Sequence, residues 1–295
     1  MKQPIVDIQQ LTKTYGKSRG ISNITFSIEE GEVFGFIGPN GAGKSTTIRT
    51  LLNFIFPTSG NATIFGKDIV KQAKAIRQQI GYLPSEIFYY DDMKVIDLLR
   101  YSASFHHYTN LGRIHELAQR LDLDTSRKIE DLSFGNRKKV GIVQALLHEP
   151  KLLILDEPTG GLDPLMQNHF FELLKEERSK GTTIFFSSHI LSEVQKLCDR
   201  VAIIKEGALI KVESVENLLK NNLKNVTLTA ANPAAIDLSS LSGIIKQEAA
   251  GTHLKLLYGG DMKRLVNALA DAPFSDILIE EPSLEEIFIH YYEKE

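Results

Sequence analysis

Gly38-Pro39-Asn40-Gly41-Ala42-Gly43-Lys44-Ser45-Thr46 is the most informative stretch of this chain. It follows the apolar run Val33-Phe34-Gly35-Phe36-Ile37, which reads as a buried strand, and it opens a segment from Lys44 to Ile55 that reads as a helix. G-x-x-x-x-G-K-[ST] between a strand and a helix is a phosphate cradle. Its glycines let the backbone curl so that several N–H groups point at one cluster of phosphate oxygens. The helix that follows turns its positive dipole end to the same anion. Lys44 adds a full charge toward the β- and γ-phosphates of a nucleotide, and Ser45 offers a hydroxyl to Mg²⁺. Gly38, Asn40, Gly41, Gly43 and Thr46 complete the candidate binding set. A glycine-rich turn carrying a chance lysine is the bland alternative, and the strand–loop–helix setting weighs against it.

Working outward, Lys151-Leu152-Leu153-Ile154-Leu155-Asp156-Glu157-Pro158 delivers two carboxylates at the end of an apolar strand, where α/β sheets bind ligands. Asp156 is placed to hold Mg²⁺ through water. Glu157 is placed to orient and polarise the attacking water. Alone, this run is equally a strand ending in solvated acids; the cradle upstream tips the reading.

Strand-like and helix-like runs alternate through the rest. Ile80-Gly81-Tyr82-Leu83, Leu152 to Leu155 and Thr182 to Phe186 read as strands; Lys94 to His106 and Arg113 to Leu121 read as helices. This alternation predicts an α/β core, a mostly parallel sheet covered on both faces. Ile5 to Ile8 and Ile24 to Ile28 alternate apolar and polar residues and predict an antiparallel flank. The polar stretch Lys220 to Asn225 reads as a linker. Beyond it come strands at Val226–Ala230, Leu254–Tyr258 and Ile277–Glu280 and a helix at Met262–Ala270. Ser283-Leu284-Glu285-Glu286 reads as a capping box opening a last helix, with Leu284, Ile287, Phe288 and Tyr291 as its apolar stripe. The expected division is 1–220 for the nucleotide-binding domain and 221–295 for a small α+β accessory domain that regulates or dimerises; a passive stabilising extension is the alternative.

Composition narrows the class. At 295 residues, 42% hydrophobic and 24% charged, the chain suits one large domain plus a small one, and its net charge of −3 carries no electrostatic footprint for nucleic acid. The single cysteine, Cys198, excludes an intrachain disulfide scaffold and points to a reducing compartment. The first residues lack the apolar core of a signal peptide, and no apolar run approaches a membrane span. A role at a membrane therefore calls for a second chain that crosses the bilayer.

Leu132-Ser133-Phe134-Gly135-Asn136-Arg137, just upstream of the carboxylate strand, resembles the LSGGQ signature of the ABC ATPase family, keeping Leu132, Ser133 and Gly135 and departing at Phe134 and Asn136. Further matches follow in order: Tyr15 where the family stacks an aromatic on adenine, Gly161-Leu162-Asp163 as the loop coupling two ATP sites, and His189 as the γ-phosphate-contacting histidine. The resemblance spans about residues 3–215. It implies a P-loop NTPase core with a helical signature subdomain, ATP and Mg²⁺ as cofactors, and catalytic roles for Glu157 and His189. It implies a homodimer or heterodimer of ATPase subunits in which Ser133 and Gly135 reach ATP held by the other subunit. It also implies integral membrane permease subunits as partners, with the ATPase peripheral on the cytoplasmic face. Gly81-Tyr82-Leu83-Pro84, Leu146 to Lys151 and Glu281 to Phe288 look like bacterial ABC-2-type exporters, the drug and peptide-antibiotic efflux group.

One departure concerns the loop after Pro84. The family usually places a glutamine where this chain has Ser85, followed by Glu86; serine is too short to reach Mg²⁺ and water as glutamine does. The other reading is an ABC-type ATPase acting on nucleic acid or the ribosome. Against it, the interval between cradle and signature shows no sustained heptad pattern, and the chain has one P-loop where ribosome-associated relatives usually carry two.

Overall fold

The computed structural model describes residues 3–16, 18–220, 223–238, 241–270, 272–282 and 286. The chain divides into two compact units, Met1–Val212 and Glu213–Glu295, a boundary that falls ahead of the polar stretch read as the linker. Lys220 closes a helix, Val215–Lys220, and Lys224 already opens a strand.

The first unit is organised by a six-stranded sheet in the order Ala208–Ser214, Arg200–Lys205, Val33–Ile37, Thr183–Ser188, Leu152–Asp156, Ile80–Leu83. From Arg200–Lys205 to Ile80–Leu83 every neighbouring pair is parallel. Val33–Ile37, Leu152–Asp156 and Thr183–Ser188 are buried at every residue, which is why they read as unbroken apolar runs. The strand read as Thr182 to Phe186 continues through Ser187 and Ser188. Both serines are buried polar groups kept there by hydrogen bonds, Ser187 Oγ donating to Asp156 Oδ1 at 2.7 Å and Ser188 Oγ to Glu193 Oε2 at 2.8 Å.

Four antiparallel strands form the flank: Ser18–Ile28, Val6–Tyr15, Ser59–Ile64 and Lys67–Asp68. The first two are far longer than the alternation predicts. Register shifts between Ile8 and Leu11 and again between Leu11 and Lys13, with Gln10 at φ 50°, break the two-residue period there. The core lies between this flank, one face of the parallel sheet and the helix Lys44–Leu51; Phe26 stacks on Phe34 at 5.0 Å and 9°.

That helix ends at Leu51, short of the predicted Ile55. Asn53 takes the left-handed conformation at φ 54°; its N–H bonds to Thr50 O at 3.0 Å, and the Phe54 N–H bonds back to Arg49 O at 2.9 Å. This pair of bonds around a left-handed Asn is a helix stop encoded by Asn53.

Helices Val95–Phe105, Gly112–Arg120 and Phe134–Leu146 follow in the segment between Leu83 and Leu152. Gly112–Arg120 buries Ile114, Leu117 and Ala118, the face its periodicity predicts. Arg113 Nη2 meets Glu177 Oε1 at 2.6 Å with both side chains almost fully buried. That ion pair ties this helix to Pro164–Ser179.

In the second unit, Ile244–Ala250, His253–Tyr258, Lys224–Thr229 and Asp276–Glu280 form an antiparallel sheet in that order. The helix Met262–Leu269 buries Leu265 and Leu269, which join Val226, Leu228, Leu256 and Tyr258 in the core. The strand Ile244–Ala250 is absent from the sequence reading. Its last six residues are exposed, so no apolar alternation marks it. The helix read from Ser283 through Leu284, Ile287, Phe288 and Tyr291 lies outside the described residues, apart from Glu286.

Candidate nucleotide site

The loop from Gly38 to Gly43 leaves the end of the strand Val33–Ile37 and enters the helix Lys44–Leu51. Gly43 sits at φ 112°, and a Cβ there would lie 2.8 Å from Ile21 Cγ2, so both backbone angle and space require glycine. Having no side chain, Gly43 cannot cap the helix it starts. The first-turn N–H groups are left facing the loop, which makes an anion site.

Lys44 is 4% exposed, and its Nζ donates to Gly38 O at 2.7 Å and Pro39 O at 3.1 Å. It also meets Glu157 Oε1 at 3.1 Å. A cavity of about 250 Å³ lies over this group. Asn40, Gly41, Gly43, Lys44, Ser45 and Thr46 line it from the loop, and Ser85 and Glu157 from other segments. Arg19 and Gly20 line it too, and sequence reading missed both; they sit on a bulged strand, and no motif marks them.

The two carboxylates behave differently. Asp156 is fully buried: Oδ1 accepts the Ser187 hydroxyl at 2.7 Å, while Oδ2 is buried with no hydrogen-bond partner in the protein. A buried carboxylate oxygen left unpaired carries a full desolvation penalty; a cation or its bound water would remove it. Glu157 takes φ 47°, a strained conformation for this residue type. Its N–H is held by Ser187 at the backbone O (3.2 Å) and Oγ (3.1 Å). The turn carries its side chain into the cavity, where Oε1 faces Lys44 and Oε2 lies 3.4 Å from His189 Nδ1. Lys44, Glu157 and His189, drawn from positions as far as 145 residues apart (189 − 44 = 145), thus meet through the Glu157 carboxylate, while Asp156, its chain neighbour, bonds Ser187 and does not line the cavity.

Other predicted residues lie elsewhere. Tyr15 ends its strand opposite Ser18, is 43% exposed with Lys13 Nζ 5.2 Å over its ring, and does not line the cavity. Ser133 and Gly135 do not line it either. Ser133 Oγ caps the helix Phe134–Leu146 by accepting from Asn136 N at 3.3 Å. Asp163 caps Pro164–Ser179 by accepting from Met166 N at 2.9 Å. The two loops touch each other: a Cβ on Gly161 would fall 2.2 Å from Phe134 Cε1, so the Phe134 ring rests directly on Gly161.

Lys138 escaped sequence reading because a lysine inside K-K reads as solvated. It is 1% exposed. Burial pushes its ammonium down to about 8, opposed by the charges of Asp156 and Glu157. A second cavity, about 650 Å³, opens between Tyr82, Ile87, Tyr89 and the helix Val95–Phe105, rimmed by exposed Phe88, Tyr90, Tyr101 and Phe105. On its wall His148 stacks on His106 with centroids 3.6 Å apart, and burial holds His148 down at about 4.

The chain is similar to known proteins over most of its length. A family model described as ABC transporter matches residues 21–160. The bacitracin transport ATP-binding protein BcrA of Bacillus licheniformis is 39% identical over 226 residues, 75% of this chain and 73% of that protein. The linearmycin resistance ATP-binding protein LnrL of Bacillus subtilis (strain 168) is 33% identical over 304 aligned residues, covering 97% of each chain. Among solved structures, one titled as the ATP binding subunit of an ABC transporter superposes with TM-score 0.68 at 30% identity, over 72% of this chain and 91% of its own.

Proposed function

The chain belongs to the family of ABC transporter ATP-binding subunits, it binds and hydrolyses ATP, and from that premise we propose which residues do the chemistry. The observation that carries the proposal is the Glu157 carboxylate, set at the edge of the phosphate cradle between Lys44 and His189. Glu157 is the general base: it accepts a proton from the water that attacks the γ-phosphate. Lys44 binds the β- and γ-phosphates, with the N–H groups of Gly41, Gly43, Lys44, Ser45 and Thr46 around them. His189, held to Glu157, contacts the γ-phosphate and orients the base. Asn40 and Gly38 complete the loop, and Tyr15 stacks on adenine.

Mg²⁺ fits the donor set. Ser45 Oγ and Asp156 would hold it, and the unpartnered Oδ2 of Asp156 is the observation that favours a cation or its water there. When bound, it neutralises charge on the β- and γ-phosphates.

Each site is completed by a second ATPase subunit. Ser133, Gly135 and the helix starting at Phe134 supply anion-binding N–H groups that do not line this chain's own cavity, which is the arrangement expected if they cover the γ-phosphate of a partner. Asp163, at the tip of the loop carrying Gly161, links the two sites. Permease subunits at the cytoplasmic face of the membrane are the further partners, a reading supported by the bacitracin transport and linearmycin resistance relatives; no described helix is long and apolar enough to cross a bilayer. The aromatic-rimmed cavity of about 650 Å³ is the docking place we favour for them. The bacitracin and linearmycin relatives favour export of a drug, peptide or lipid-like molecule. Residues 221–295 regulate or dimerise.

Mixing tests the shared site. Lys44→Ala and Ser133→Arg chains are each inactive alone. In a mixed dimer one composite site carries both defects and the other neither, so ATPase activity returns. A mixture that stays as inactive as its parents, with mixed dimers demonstrated, refutes the shared-site reading; a concatenated dimer of one wild-type and one mutant half separates that outcome from strict interdependence of the two sites.

A further inference from the structure

Three segments that sequence treats separately meet on one atom. Lys138 lies in the first turns of the helix Phe134–Leu146, directly after the signature. Its Nζ donates to Pro84 O at 3.1 Å, Ser85 O at 3.2 Å and Glu157 O at 3.2 Å. An ammonium has three N–H donors, and here each has one carbonyl. The Lys138 side chain is buried and its three acceptors are half-buried, so removing the donor takes the protein partner from three carbonyls at once. The arrangement therefore resists sliding: the loop at Pro84–Ser85, the signature helix and the backbone under Glu157 hold their spacing only together.

The position of those carbonyls gives the link a direction. Glu157 holds a strained φ of 47°, and such conformations persist only where the surroundings over-determine them. Ser187 fixes the Glu157 N–H; Lys138 fixes its carbonyl. On the other side, Ser85 lines the nucleotide cavity, while Pro84 and the residues after it, Ile87 to Tyr90, line the aromatic cavity. The Ser85 side chain is too short to do what a glutamine does at this place, yet its main chain is tied through Lys138 to the base.

We propose that Lys138 is a positioning residue for ATP hydrolysis, holding the Glu157 turn in register with the Pro84–Ser85 loop so that anything displacing that loop reaches the base through one ammonium. This rests on Glu157 being the base. Lys138 touches no phosphate-binding group of its own cavity, so it acts on turnover and not on nucleotide affinity.

The test is a double-mutant cycle in the full-length chain, with ATP turnover and KM measured at saturating Mg²⁺. Lys138→Met keeps the stem and removes the donors. It lowers kcat by about tenfold or more, with the ~10²–10⁴-fold loss expected on removing the base itself as the ceiling, while the KM for ATP stays within about threefold. In a Glu157→Gln background, read by single-turnover hydrolysis, the same change costs less than about twofold, because the group it positions is already gone. Lys138→Gln, which retains an N–H donor, restores part of kcat; should the methionine variant not fold, it takes its place in the cycle, with a loss of about threefold expected in the Glu157 background only. A kcat within twofold of wild type, or the same loss in both backgrounds, overturns the proposal. If Glu157→Gln alone keeps its turnover, the base assignment has failed instead, and the two failures are told apart.

Discussion

The contact between the Phe134 ring and Gly161 makes a side chain at position 161 costly to stability. In Gly161→Ala the new Cβ would lie 2.2 Å from Cε1 and 2.3 Å from Cδ1 of Phe134, more than 1 Å inside van der Waals contact, at a backbone φ of 83°. The left-handed angle costs an L-residue about 1–2 kcal/mol. Overpacking adds about 1–3 kcal/mol. The Phe134 side chain is 62% exposed, so the ring has somewhere to go; the steric part therefore falls at the low end, and the sum is about 2–4 kcal/mol. The two parts separate cleanly. In a Phe134→Ala background the ring is gone and only the backbone strain of about 1–2 kcal/mol remains, which predicts a coupling energy of about 1–2 kcal/mol between the sites. The chain has no tryptophan, so urea unfolding is followed by circular dichroism on the four proteins of the cycle. If Gly161→Ala costs the same, within about 0.5 kcal/mol, with and without the Phe134 ring, the contact carries no energy and the reasoning is refuted.

Three more outcomes follow. Ending the chain at Lys220 keeps the edge strand Ala208–Ser214 and every nucleotide-site residue, so the shortened protein folds and binds ATP, as nucleotide-dependent thermal stabilisation reports; a folded truncation that fails to bind ATP contradicts the division of labour. His148 is held at about 4 from an ordinary 6.5, so below pH 6.5 the unfolded chain takes up a proton that the folded one refuses, and stability is lost as pH falls from 6.5 toward 4. The loss at this one site reaches about 3 kcal/mol, and a flatter pH profile of unfolding in His148→Gln checks it. Lys44→Ala abolishes ATP binding or turnover in the isolated chain, measured by nucleotide titration and phosphate release; unchanged activity removes Lys44 from the site.

Much of the core was legible in the sequence because parallel strands are buried on both faces and so read as unbroken apolar runs. Val33–Ile37, Leu152–Asp156 and Ile80–Leu83 lie within a residue of where their composition puts them. The loop from Gly38 to Gly43 was legible because its glycines are demanded by a left-handed angle and by contact with Ile21. What stayed hidden has local physical causes. The flank strands are broken by bulges that erase their period, Ile244–Ala250 faces solvent along most of its length, and the helix stop depends on one left-handed residue, Asn53. Around the site, Arg19 and Lys138 were invisible because an isolated basic residue gives no sign of being lined up on a cavity or buried under three carbonyls. The Phe134 departure from the family signature also finds a structural correlate: its ring rests on Gly161, where a Cβ would overlap it.

The central claim, that Glu157 is the base of an ATP-hydrolysing site, rests on a carboxylate held between Lys44 and His189, and Glu157→Gln tests it most directly. The amide keeps the shape of the side chain but cannot accept the proton of the attacking water. ATP affinity should stay within about threefold of wild type while turnover falls by about 10²–10⁴-fold, the range for loss of a general base, and the variant should accumulate as an ATP-bound dimer on a sizing column. A fall in turnover of less than about tenfold, with ATP still bound, would contradict the account.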